Sequence, residues 1–122
     1  AEISAGELLD KITILEIKKE KIKDKEKLDD INKELALLSL TSGEKIPDKS
    51  QVKDLIIDLK KINLKLWDIE EGKRLAEKNK KFDDEFIKLS RDVYKFNDER
   101  AKIKLKINKI LGSNIKEVKS HY

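Results

Sequence analysis

The chain has 122 residues, enough for one domain with a core but not for a core plus a separate catalytic domain. Charged residues make up 44% and aromatic residues 5%, with one Pro and no Cys, which excludes disulfides, thiolate nucleophiles and zinc knuckles. Basic and acidic residues, 29 against 25, alternate along the chain and predict a solvated helix surface laced with weak ion pairs rather than a concentrated positive patch. The only arginines are Arg74, Arg91 and Arg100, which argues against nucleic acid as a partner. No apolar run is long enough to span a membrane. No leader peptide is visible, and the chain has no Met, so its native start is expected upstream and its compartment is expected to be the cytoplasm.

The mixture rich in Lys, Glu, Leu and Ile predicts long helices, and the apolar residues recur too regularly for disorder. Ser4-Ala5-Gly6-Glu7 reads as a capping box opening a helix over about residues 5–23, with Leu8, Ile12, Leu15 and Ile22 on one face. A second stripe, Leu28, Ile31, Leu35 and Leu38, does not continue that phase, because residues 23–27 are all charged. The segment is either one helix kinked near Asp24 or two helices, the second over 25–41. Residues 41–50 hold Ser-Gly and the single Pro, which is loop chemistry.

The next helix is expected over 50–80, with Val52, Leu55, Leu59, Ile62, Leu66 and Ile69 in alternating three- and four-residue steps. Asp83 or Asp84 caps a last helix running to 111, whose stripe is Phe86, Leu89, Val93, Phe96, Arg100, Ile103, Ile107 and Ile110. Gly112 ends it, and the tail 112–122 has no clear period. The fold class that follows is all-α: an elongated antiparallel bundle of three to four helices in a single domain. A 27-residue helix is about 40 Å long at 1.5 Å per residue, and so thin a bundle often buries one more face by forming a homodimer.

Two lines of polar residues run beside the core. Asn63, Trp67, Glu70 and Arg74 fall at i, i+4, i+7 and i+11. Asn97, Ala101, Lys104 and Asn108 repeat that spacing on the last helix, with Tyr94 and Arg100 at its edge. Arg100 interrupts the apolar stripe itself, and its charge requires a carboxylate or a bound anion. Asp10, Lys11, Glu16 and Lys18 can face the same seam. The seam is either a structural polar network fixing helix register, with Arg100 or Arg74 paired to Glu70 or Glu71, or a small-molecule or anion site. In the second case Arg74, Arg100, Lys104, Lys11 and Lys18 would hold a phosphate, sugar phosphate or carboxylate beside Trp67 or Tyr94.

Catalytic patterns are weak. Glu7/Asp10 and Asp68/Glu71 have the spacing of magnesium-binding acid pairs, but 25 acids in 122 residues produce such pairs by chance. A chorismate-mutase-like bundle would need converging cations that only Arg74, Arg100, Lys11, Lys18 and Lys104 could supply. His121 is a tail residue, and Ser4, Thr13 and Ser90 have no base nearby in pattern. No metal ligand set and no cofactor is expected.

Ser4-x-Gly-Glu-Leu-Leu-Asp-Lys-Ile-Thr-Ile-Leu-Glu-Ile-Lys18 resembles the opening of a small bacterial domain family of unknown function, DUF6165. Asn63-x-x-x-Trp67-x-Ile-Glu70 resembles its middle motif. Val93-Tyr94-x-x-Asn97-Asp98-Glu99-Arg100-Ala101, Ile107-Asn108 and Ser113 to Ser120 resemble its end. Ala5 stands where that pattern tends to have Pro, and Glu71 where it tends to have Asp. The resemblance implies no established activity, catalytic residue or cofactor. Its members occur near sugar-transfer genes of the cell surface, which implies a link to envelope glycan synthesis.

Overall fold

A computed structural model describes residues 3–112. The tail expected beyond Gly112, with His121, lies outside the described residues. Four helices account for the architecture: α1 Ala5–Lys21, α2 Lys25–Lys45, α3 Lys53–Asn79 and α4 Asp84–Ile110. A single 3₁₀ turn, Ser50–Val52, precedes α3, and there is no strand among the described residues.

Three of the four helices, α1, α2 and α4, begin where a side chain satisfies a free amide, whereas α3 follows the 3₁₀ turn without a side-chain cap. Ser4 Oγ accepts from the Glu7 N–H at 3.1 Å, Asp24 Oδ1 from Glu26 at 3.2 Å, and Asp83 Oδ1 from Phe86 at 3.3 Å. The Asp24 cap decides between one kinked helix and two. Ile22 turns extended at φ −87°, ψ 135°, and Asp24 starts a fresh helix whose apolar phase is its own.

The α2 helix continues past Thr41, where loop chemistry was expected, to Lys45. The Thr41 hydroxyl donates to Leu37 O at 3.1 Å within this extra turn, while the buried Ser42 hydroxyl has no hydrogen-bond partner among the described residues. The extra turn delivers Ile46 into the core. Lys49 Nζ then donates to the Ile46 carbonyl at 2.7 Å and the Ser42 carbonyl at 3.4 Å, covering oxygens at the helix end. At the far end of α3, Lys80 adopts the left-handed conformation (φ 51°) and the Lys81 N–H closes on Ala76 O at 2.8 Å.

The α3 and α4 helices form an antiparallel hairpin, and α1 packs against both of them and against α2. The α2 helix packs on α1 alone. The core gathers at the end of the hairpin away from the 80–83 turn, where Ala5, Leu8 and Leu9 meet Ile46, Val52, Leu59 and Ile107. Gly6 lets α1 and α4 touch backbone to backbone. A Cβ built there would lie 2.5 Å from the Lys104 carbonyl oxygen, so only glycine permits this approach. Away from the core the hairpin thins, and no residue between Ile69 and Ile107 is fully buried.

Candidate functional site

Where α1 lies against the hairpin, a buried carboxylate organises the polar residues. Gly6, Asp10, Thr13 and Ile17 fall at i, i+4, i+7 and i+11 on α1, and all four are buried. Asp10 is only 2% exposed. Its Oδ1 accepts from Asn63 Nδ2 at 2.8 Å, and the same amide donates to Thr13 Oγ1, also at 2.8 Å. The Thr13 hydroxyl in turn donates to the Asp10 backbone carbonyl at 2.7 Å. Asn63 Oδ1 is left to accept from Arg100 Nη1 at 3.4 Å. The two acceptors on one side and the donating guanidinium on the other fix which way the Asn63 amide points.

Two cations flank the second carboxylate oxygen. Arg100 Nε is 3.9 Å and Lys104 Nζ 3.8 Å from Asp10 Oδ2, and Lys104 also forms an ion pair with Glu7. At that separation each charge pair attracts by about 4 kcal/mol at an effective dielectric of 20. Burying an ion costs several kcal/mol. The two nearly offset, so the cluster contributes geometry more than net stability. It sets the register of α1 against both helices of the hairpin. Asn108 completes the contact, its Oδ1 accepting from the free Gly6 N–H at 2.7 Å.

Beside this network opens a cleft of about 190 Å³ lined by Ile14, Ile17, Asn63, Leu66, Trp67, Glu70, Arg74 and Arg100. The residues predicted from spacing therefore divide. Asn63, Arg100, Lys104 and Asn108 converge on α1, while Trp67, Glu70 and Arg74 join Asn63 and Arg100 around the cleft. Lys11, Tyr94 and Asn97 are exposed and contribute to neither, and half-buried Lys18 also stays outside both.

Arg100 does not pair with Glu70 or Glu71, as expected for a two-helix seam. It turns toward α1, which fills the hairpin groove and brings Asp10 to it. Glu71 is taken by Arg74 at 2.9 Å on the exposed face, one turn away on the same helix. Asp10 was expected only as one of four α1 residues able to face the seam; its place at the centre of the network, and Thr13 beside it, are what sequence reasoning missed. Their spacing with Gly6 and Ile17, the same as that of the two lines already identified, was the available signal. The Glu7/Asp10 pair is occupied by the ammonium of Lys104, and no group of three or more potential metal ligands exists among the described residues.

A family model matches the whole chain, residues 1–122, and its description is a family of unknown function, DUF6165. The chain belongs to that family. Membership brings no activity with it, and neither a curated protein nor a solved structure matches the chain. Function in this DUF6165 member has to be argued from its own surfaces. No helix among the described residues is long and apolar enough to cross a membrane.

Proposed function

We propose that the chain is a non-enzymatic helical interaction module that self-associates through the far end of the α3–α4 hairpin. The observation that carries this reading is an apolar stripe without cover. The helical period continues through Leu75, Ala76, Phe86, Leu89 and Val93, yet none of these residues is fully buried. Leu75, Phe82 and Ile87 are 59%, 53% and 48% exposed. A groove of about 250 Å³ between the two helices, with Gly72, Leu75, Ala76, Phe86 and Leu89 as its apolar part and Asn79, Lys81, Asp83 and Glu85 at its polar part, offers room for an apolar side chain of a partner. Near the core the same stripe is covered by α1; at the tip a helix pair with one apolar side needs another surface to cover it.

A second copy of the chain is the occupant that the charges favour. Residues 70–95 carry eight basic and seven acidic side chains, a difference of one. Interspersed and nearly balanced charge lets two such arms approach without net repulsion, whereas a strongly charged partner would gain little from it. The non-enzymatic part of the reading rests on the Asp10 network, whose carboxylate is engaged by Asn63, Arg100 and Lys104.

Light scattering on the eluting protein tests it. Two chains of 14.2 kDa give 2 × 14.2 = 28.4 kDa, the mass expected at tens of micromolar. A Leu75→Glu, Ile87→Glu double variant, altered only at exposed positions, should elute at 14.2 kDa with unchanged helical circular dichroism. A wild-type mass of 14.2 kDa up to about 100 μM would overturn the proposal.

A further inference from the structure

The cleft beside the Asp10 network has a polar end with unused donors and an apolar body. A guanidinium carries five N–H donors. Arg100 spends one of them, on Asn63 Oδ1 at 3.4 Å, and its Nε–H stands 3.9 Å from Asp10, beyond hydrogen-bond reach. Four donors thus have no protein acceptor among the described residues, on a side chain that is 30% exposed and lines the cleft. Ile14, Ile17 and Leu66 supply apolar lining to the same cleft, and Trp67 adds an aromatic side chain. A volume of about 190 Å³ exceeds the ~150 Å³ of an apolar cavity that accepts a benzene ring.

We propose that this cleft binds a small organic acid with one carboxylate and an aromatic or branched apolar body. The carboxylate would take the planar fork of Arg100 in two parallel hydrogen bonds, and the body would lie between Trp67 and the isoleucines. The neighbouring charges set the limit of one. Arg74, the other cation of the lining, is held by Glu71 at 2.9 Å, and Glu70 lines the cleft with no cationic partner among the described residues. A dianion such as a phosphate monoester would meet the Glu70 charge with only the Arg100 guanidinium, already partly offset by Asp10, to balance it. The inference does not rest on self-association, because the cleft lies against α1 and not at the hairpin tip.

Trp67 is the only tryptophan of the chain, so its emission reports on the cleft directly. Titration of the full chain with 3-phenylpropionate should give a saturable emission change with a Kd of the order of 1 mM. The uncharged 3-phenylpropionamide should bind at least about tenfold more weakly, and inorganic phosphate should give no saturable change. Arg100→Gln should remove the preference for the acid over the amide. Because that variant also touches the Asp10 network, Ile14→Phe is the companion: it fills the cleft from its wall and should abolish acid binding with helical content intact. Equal binding of acid and amide, saturable binding of phosphate, or no saturable change up to about 20 mM acid would each overturn the proposal. So would a folded Arg100→Gln that still prefers the acid, or an Ile14→Phe chain that binds it as the wild type does.

Discussion

The Gly6 N–H donates to Asn108 Oδ1 at 2.7 Å across 102 positions of sequence, so the last helix caps the first. The same glycine brings its helix against the Lys104 carbonyl, where a Cβ would stand at 2.5 Å. A Gly6→Ala chain should therefore lose about 1–3 kcal/mol, despite alanine's better helix propensity, because backbone must move. Asn108→Ala leaves the N–H without its acceptor and should cost about 1 kcal/mol. Urea denaturation of both variants reads these values, and a stabilised Gly6→Ala protein would contradict the close approach.

Arg100 and Asp10 should be strongly coupled. Removing the guanidinium strands a carboxylate that is 2% exposed, leaving it Asn63 and the more distant Lys104, so Arg100→Ala should cost roughly 3 kcal/mol. In an Asp10→Leu background no buried anion remains, and the same Arg100→Ala step should cost about 1 kcal/mol or less. A double-mutant cycle by chemical denaturation supplies the difference. If Arg100→Ala is neutral in both backgrounds, Arg100 is a snorkelling surface side chain and the network is not held by it.

Lys80 sits at φ 51°, ψ 42°, a left-handed conformation that costs an L-residue about 1–2 kcal/mol. Glycine pays no such penalty but loses more freedom on folding. Lys80→Gly should stabilise the chain by about 0.5–1 kcal/mol, a rise of a few degrees in Tm by calorimetry. A lowered Tm would mean that the α3 helix ends differently.

Asp48 closes the turn before α3 by accepting from the Ser50 N–H at 2.9 Å, and this bond to its backbone holds the carboxyl below its ordinary value of 3.8. Because the folded pKa is lowered, the stabilisation is present above the unfolded pKa and fades as pH falls through the folded one. The stability difference between wild type and Asp48→Asn should be flat above about pH 5 and shrink on acidification below about pH 4. Denaturation series at several pH values would show it; a difference that grows on acidification would reverse the assignment.

Much of the architecture was legible because helix formation is a local matter. Ser4, Asp24 and Asp83 mark their helix starts by side chains that satisfy amides two or three residues away. The apolar steps through Leu59, Ile62, Leu66 and Ile69 predicted a buried face, and all four are buried. The end of α2 was not legible. Thr41 and Ser42 read as loop residues in isolation, and only the anchoring of Ile46 in a core built from three other helices and the 3₁₀ turn draws the helix on to Lys45.

For the site, spacing placed Asn63, Arg100 and Lys104 beside the core but could not name what they meet. Arg100 has carboxylates in reach of its pattern on α3, and the nearer-looking choice, Glu71, is satisfied by Arg74 instead. The partner is Asp10, ninety residues earlier, which the spacing could place only as one of four charged α1 residues able to face the seam. What the sequence by itself determined is the set of amphipathic helices and the polar residues on their inward faces, since both follow from a 3.6-residue repeat along a single segment. What only the tertiary structure decided is which inward face meets which. That depends on α1 entering the hairpin groove at the depth the Gly6 contact allows. At that depth a buried carboxylate lies within 4 Å of two cations and a cleft opens beside Trp67.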